Sequence, residues 1–296
     1  MSDARSIGLF DSGVGGLTVL DAVARRLPKE NLLYLGDTAR LPYGTKSRET
    51  VRRYSIRAVT LLLERDVKAL VIACNTATAL ALDAVAAISP VPVVGVVEPG
   101  ALAAVLRVRA LESRGDQEGQ AGEGDGNGDG HGKSGARPLA PIAVLATEAT
   151  IASDAYGLAI RRHDPGRPVV NSACPLFVPL AEEGWVENDV ARAAAAHYLA
   201  PVGASGARVV VLGCTHYPLL RTVIQDALPE GTLLVDSAES TAEALDRLLS
   251  QDARREGDGV SGETHLLVTD SSERLRRVAG RFLGREAAAL ELVDLP

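Results

Sequence analysis

Apolar and polar positions alternate in blocks along this chain of 296 residues. Apolar runs of strand length fall at Ile7–Phe10, Asn31–Leu35, Ala69–Ala73 and Val93–Val97. A second set falls at Ile142–Leu145, Val169–Asn171, Val209–Gly213 and Leu233–Val235. Between them lie Ala- and Leu-rich segments with helical spacing, such as Leu17–Leu27 and Thr50–Arg65. The two sets agree in spacing, with 67 residues from Ile7 to Cys74 and 72 from Ile142 to Cys214. Their polar ends correspond too: Asp11-Ser12 with Ala146-Thr147, and Glu98 with Asp236. Alternating strands and helices predict an α/β fold with right-handed crossovers. The repeat predicts two pseudo-symmetric domains, each a parallel sheet flanked by helices, with the active site in the cleft between them. Residues 1–98 with 238–296 form the first domain in this reading, and 99–237 the second. The first strand of each set is continuously apolar, as a strand buried on both faces should be.

Two segments break the pattern. Residues 115–135 hold nine glycines, mostly among polar residues. Such a stretch buries too little apolar surface to offset its ordering entropy, so a disordered insertion is expected over about 112–137, with a linker as the alternative. A polar run from Ser250 to Thr264 precedes a strand at His265–Val268, a helix from about Ser271 to Leu283, and a terminal strand at Leu290–Leu295. The stretch from Ala69 to Ile88 is apolar enough to resemble a membrane span. Asn75, Thr76 and Asp83 interrupt it, and it divides into a strand and a helix, so no membrane association is expected. A strand pattern begins at Ile7 without a basic and then apolar leader, so no signal peptide is expected.

Composition narrows the function. Aromatic residues make up only 3% of the chain, so Val, Leu, Ala and Ile must build the core. A net charge of −7 disfavours direct nucleic-acid binding. The three cysteines, Cys74, Cys174 and Cys214, form neither a CxxC pair nor a disulfide framework, which fits an intracellular, reducing setting. No HExxH, CxxC or EF-hand pattern implies a metal, and no lysine stands out as a pyridoxal phosphate anchor. A cofactor-free chemistry on a small molecule is the economical expectation.

Cys74 and Cys214 each end a strand and precede small polar residues, in Cys74-Asn75-Thr76 and Cys214-Thr215-His216. Most free cysteines are simply small buried hydrophobes. These two instead occupy matching strand-to-helix turns, where α/β proteins bind ligands and a helix N-terminus favours thiolate. One thiol on each side of a substrate is the sharper reading. Cys174, in Ala173-Cys174-Pro175, lacks that context and reads as core. Asp11-Ser12-Gly13-Val14-Gly15-Gly16 is a Gly-rich turn that matches neither GxGxxG nor a Walker A loop. Its glycines could offer N–H groups to a carboxylate, and Asp11 could receive an ammonium group or move a proton. Leu41–Lys46 should share that sheet edge. Thr147, Thr150, Glu182 and His216 would line the facing wall, with His216 placed to tune a thiol.

Several motifs carry a family resemblance. Asp11-Ser12-Gly13-Val14-Gly15-Gly16-Leu17-Thr18, Pro42-Tyr43-Gly44-Thr45-Lys46, Cys74-Asn75-Thr76-Ala77, Cys174-Pro175-Leu176-Phe177-Val178-Pro179-Leu180 and Gly213-Cys214-Thr215-His216-Tyr217-Pro218-Leu219-Leu220 closely resemble glutamate racemases. They occur in the family's order and cover nearly the whole chain outside 110–138. The resemblance implies a cytoplasmic, cofactor-independent enzyme that interconverts L- and D-glutamate and feeds peptidoglycan synthesis. It implies that Cys74 and Cys214 are the proton donor and acceptor. Substrate contacts carried over by motif are Asp11, Ser12, Tyr43, Gly44, Asn75, Thr76, Thr215 and His216, and Glu182 matches an assisting acidic residue. In Thr147-Glu148-Ala149-Thr150, Ala149 stands where the family often has Gly. A homodimer is compatible with the resemblance. Two rivals remain: another two-thiol racemase acting on aspartate or hydantoins, and a non-catalytic two-lobed amino-acid-binding protein.

Overall fold

The computed structural model describes residues 3–121, 139–251, 261–271, 273–285 and 290–295. In chain order the first half runs β1 (Ile7–Asp11), α1 (Leu17–Arg26), β2 (Leu32–Gly36), α2 (Arg48–Glu64), β3 (Ala69–Ile72), α3 (Asn75–Ile88), β4 (Val93–Gly95) and α4 (Val97–Ala121). Next come β5 (Ile142–Ala146), α5 (Glu148–Ala152), α6 (Ala155–His163), β6 (Val169–Ala173), α7 (Phe177–Glu183), α8 (Asp189–Ala204), β7 (Val209–Gly213), α9 (Arg221–Asp226) and β8 (Leu233–Asp236). The chain closes with α10 (Ser237–Gln251), β9 (Thr264–Val268), α11 (Glu273–Leu283) and β10 (Leu290–Leu292).

The strands form two sheets, ordered β10-β9-β2-β1-β3-β4 and β6-β5-β7-β8. Every pairing is parallel. The four strands of the second sheet repeat the β2-β1-β3-β4 arrangement of the first. In each sheet the chain reverses its direction of growth beside the first strand, between β1 and β3 and between β5 and β7. Such a switch point leaves a crevice at the carboxyl ends of the strands. β1 and β5 are fully buried, as their unbroken apolar sequence requires.

Helices cover both faces of each sheet. On the first sheet, α1 and α10 pack on one face with α11, and α2 and α3 on the other. α2 illustrates how the sequence builds a covering helix. Ser47 caps it by accepting the Thr50 N–H at 3.3 Å, and Val51, Ser55, Ala58, Val59 and Leu62 recur on one face into the core. The first half of α4 joins α6 over the second sheet, while α7, α8 and α9 close its other face. The apolar stretch from Ala69 to Ile88 is β3 followed by α3. No helix among the described residues is long and apolar enough to cross a membrane.

α4 differs from expectation. It runs to Ala121, into the segment from about 112 expected to be disordered. Its packed half supplies the nucleus, and adding turns to an existing helix costs little. Glu112 fixes the register near that point, accepting from Arg167 Nη2 at 2.9 Å and from the Ala140 N–H at 3.2 Å. The rest of the glycine-rich stretch lies outside the described residues. The two matched acids have separate partners. Glu98 opens α4 and pairs with Arg162 and with His163 at 2.8 Å, whereas Asp236 pairs with Arg221 at 2.6 Å.

Candidate active site

The carboxyl edges of the two sheets enclose a cavity of about 370 Å³. Cys74 enters it from the turn after β3 and Cys214 from the turn after β7. Ser12, Tyr43, Gly44, Asn75, Thr76, Thr147, Glu182, Thr215 and His216 also line it. Gly13, Leu41, Pro42, Thr45, Glu148, Pro175, Val178 and Pro179 complete the wall; all fall within the segments singled out from sequence, but none was named individually as a substrate contact. Most of these sit one to three residues from a singled-out position and carry no chemistry of their own, so nothing in their residue types marked them.

Cys74 is the N-cap of α3. Its sulfur accepts the Ala77 N–H at 3.4 Å and donates to Ser12 Oγ, also at 3.4 Å. Burial pushes this thiol up to about 12, and the negative charges of Asp11 and Cys214 push the same way. The Cys214 sulfur lies 3.9 Å from His216 Nδ1, and His216 Nε2 lies 3.3 Å from Glu182 Oε1. Burial disfavours a charged His216. The hydrogen bonds to Cys214 and Glu182, with the charges of Cys214 and Asp11, outweigh it and push the imidazole up to about 10. The two thiols therefore differ: one is held protonated in apolar surroundings, and the other faces an imidazolium.

Asp11 and Thr150 depart from the expected positions, because neither lines the cavity. Asp11 ends the central strand β1 and is 0% exposed beneath the turn that follows. Its Oδ2 accepts the Gly13 N–H at 2.9 Å, while its Oδ1 is buried without a hydrogen bond. Burial raises its pKa; the His216 charge and nearby backbone N–H groups oppose this. Its charge acts on both Cys74 and His216. Thr150 sits behind Thr147 and Thr76 in a hydroxyl triangle, with sides of 3.0, 3.0 and 3.2 Å. That triangle ties α3 to the turn after β5. Ala149 lies inside α5 and does not adopt a positive φ, so the missing glycine leaves the turn intact.

The glycines of the first turn serve close approach more than anion binding. A Cβ on Gly16 would lie 2.6 Å from the Asp11 Cβ, and one on Gly15 would lie 2.7 Å from His216 Nδ1. Gly44 presses against Thr147 in the same way, where an added Cβ would meet the Thr147 Cβ at 2.7 Å. Only glycine lets the turns of the two sheets meet this closely.

Two further residues position the wall without lining it. Asp37, at the end of β2 and 0% exposed, accepts the Tyr43 hydroxyl at 2.6 Å and the Thr269 hydroxyl at 2.9 Å. Burial and the Asp37 carboxylate raise the Tyr43 pKa, so that phenol stays a donor and its loop stays fixed. Tyr156 donates to Asn75 Oδ1 at 2.6 Å. Asn75 Nδ2 is left buried without a hydrogen bond, in a residue that lines the cavity. A buried donor so placed is costly unless a ligand satisfies it. Within Gly36-Asp37-Thr38, the carboxylate after a strand was a legible signal for Asp37. Tyr156 had none.

A family model for Asp/Glu/Hydantoin racemases matches residues 9–112 and 133–245, a span that carries both cysteine turns. The chain belongs to this family. Within it, the chain is 45% identical to a glutamate racemase of Geobacter metallireducens over 291 residues, which is 98% of this chain and 97% of the relative. Among solved structures of the family, glutamate racemase from Francisella tularensis in complex with D-glutamate superposes with a TM-score of 0.84. It is 33% identical and covered to 98%, over 99% of this chain. Escherichia coli glutamate racemase, in complex with L-glutamate and the activator UDP-MurNAc-Ala, superposes at 0.72. That protein is 29% identical, with 99% of each chain covered. Racemases of this family are isomerases.

Proposed function

We propose that this chain interconverts L- and D-glutamate without a cofactor, by 1,1-proton transfer between Cys74 and Cys214. One observation carries the reading: two cysteines on equivalent strands of two parallel sheets line one cavity. Inversion at Cα needs a base on one face and an acid on the other, and a single group could not serve both faces without turning the substrate. In the working cycle a thiolate takes the Cα proton and becomes a thiol. The C–H electron pair stays on the substrate, spread into the α-carboxylate. The opposite thiol gives its proton to the other face and becomes the thiolate, so the roles are exchanged. By family resemblance, Cys74 abstracts from D-glutamate and Cys214 from L-glutamate.

The carbanion is the costly species, and fixed donors lower its energy as charge builds. Asn75 Nδ2, with the N–H groups and hydroxyls of Thr76 and Thr215, supplies such donors for a carboxylate. Ser12 holds the Cys74 thiol, Tyr43 and Gly44 shape the pocket, and Asp11, Glu182 and His216 set the charge balance. The His216 imidazolium gives a Cys214 thiolate its positive partner, while Cys74 rests as thiol. The relatives crystallised with D- and L-glutamate support the substrate. We further propose a cytoplasmic setting, supply of D-glutamate for peptidoglycan, and a homodimeric assembly.

The reading is tested with Cys74→Ser and Cys214→Ser. Each is expected to lose racemisation by at least about 100-fold, the scale of a positioned acid or base, with circular dichroism and thermal midpoint unchanged. Near-native turnover in either variant would remove the two-thiol mechanism.

A further inference from the structure

α11 belongs to the core of the first sheet, where Leu275, Val278, Ala279 and Phe282 are buried with α1 and β9. Its outer residues reach across to α7, which covers the second sheet. Arg281 Nη1 donates to the Glu182 carbonyl at 2.5 Å, and Arg274 pairs with Glu183 at 2.6 Å and approaches Glu182 Oε2 at 4.0 Å. Gly184, the C-cap of α7 with φ of +75°, leaves room for the Arg281 guanidinium, since a Cβ there would lie 2.6 Å from its Cζ. A cation over the last carbonyls of a helix is stabilised by them. The Phe282 ring meets the His216 imidazole edge-on, with centroids 5.1 Å apart.

Glu182 and His216 are thus held from the far lobe at both ends. Arg281 fixes the Glu182 backbone, Arg274 faces its carboxylate, and Phe282 closes the apolar side of the imidazole. Cys74 itself bonds to Ser12 and Ala77 of its own sheet, and the residues after it, Asn75 and Thr76, are tied across to Tyr156, Thr147 and Thr150. We propose that α11 is a clasp between the lobes, in which Arg281 and Phe282 are positioning residues that align the Glu182–His216–Cys214 line. This rests on reading Cys214 as an acid–base group. The clasp makes the Cys214 half of the site depend on lobe closure. The groups facing His216 are Cys214 and Thr215 beside it, Asp11 from β1, Glu182 from α7 and Phe282 from α11. Loosening Glu182 removes one of the interactions that keep this imidazole charged.

The experiment uses the full chain labelled with ¹³C-histidine, following the His216 titration by NMR and racemisation in both directions. Arg281 is exposed, so Arg281→Leu should fold. It is expected to lower kcat about tenfold with KM changed less than twofold. The His216 midpoint should fall by at least one pH unit from about 10. Arg281→Lys, which keeps a charged donor, should restore kcat to within about twofold. Phe282→Leu should instead raise the midpoint, because a smaller side chain lessens the burial that disfavours the charged imidazole, while keeping an apolar core residue. If both folded variants leave the His216 midpoint at its native value, the clasp is overturned, whatever happens to kcat. Should the native chain racemise neither enantiomer, the reading of Cys214 fails separately, and the His216 titration still decides the clasp.

Discussion

At Asn75 one end of the amide is partnered and the other is not. Its carbonyl oxygen is bound to Tyr156 at 2.6 Å, and its amide nitrogen is buried without a hydrogen bond. Asn75→Ala is therefore expected to lower kcat by roughly 100-fold, the usual loss for one oriented donor at a developing charge, as read by polarimetry. A loss below threefold would show that the amide faces no reacting charge. His216 makes a separate prediction about stability. Its folded pKa of about 10 lies above its ordinary 6.5, so the folded state binds the proton more tightly. That contribution is full below pH 6.5 and is lost as pH rises to about 10. Urea midpoints of the native protein should fall over that window, and His216→Gln should flatten the fall. Cys74, raised from 9.0 to about 12, acts in the same direction only above pH 9. An unchanged slope in the variant would contradict the charged imidazole. Both cysteines and the residues after them were legible because polar residues abruptly follow an apolar run. The burial of Asp11 was not, since a strand's last residue is lifted to the surface or covered according to the next turn. Here Gly16 lies directly over it.

Among the elements, the strands read most clearly from sequence, because parallel strands buried on both faces are continuous apolar runs. β1, β3, β5 and β7 lie within a residue of their expected bounds. Helix ends read less well. The fourth apolar run stops as strand at Gly95, and α4 begins at Val97, well before its composition turns polar. The turns depend on contacts between sheets that no local pattern records. The first turn is the clearest case, where Gly15 faces Thr215 and His216 of the other lobe. Gly15→Ala should push the Thr215–His216 turn away and cut kcat at least tenfold, the sensitivity of catalysis to small displacements. The far-ultraviolet spectrum should stay native. Full activity in Gly15→Ala would mean that the two turns do not need their close approach.

Across the whole molecule, the chain passes from the first sheet to the second through α4 and returns through α10, and these two helices pack on each other. We propose that the lobes divide at the starts of these helices, near 98 and 237. The pseudo-symmetric repeat was legible from spacing alone. The asymmetry laid over it was not, because it arises from tertiary contacts: a thiol held protonated on one side, and a thiol facing the His216 imidazolium on the other. Besides the α11 contacts with α7 and His216, the lobes meet near the site through short polar ties, Tyr156–Asn75 and the Thr76–Thr147–Thr150 triangle. Such an interface can separate and close at modest cost, which suits a site that must admit substrate and then exclude water. The most direct test of two-thiol racemisation is incubation of the purified, reduced protein with L-glutamate, and separately D-glutamate, in D₂O without added cofactor. Optical rotation and the Cα proton signal are followed together. The account predicts that rotation decays to zero from either enantiomer, with deuterium entering Cα of the product. Stable rotation and an unexchanged Cα proton in a folded sample would contradict it.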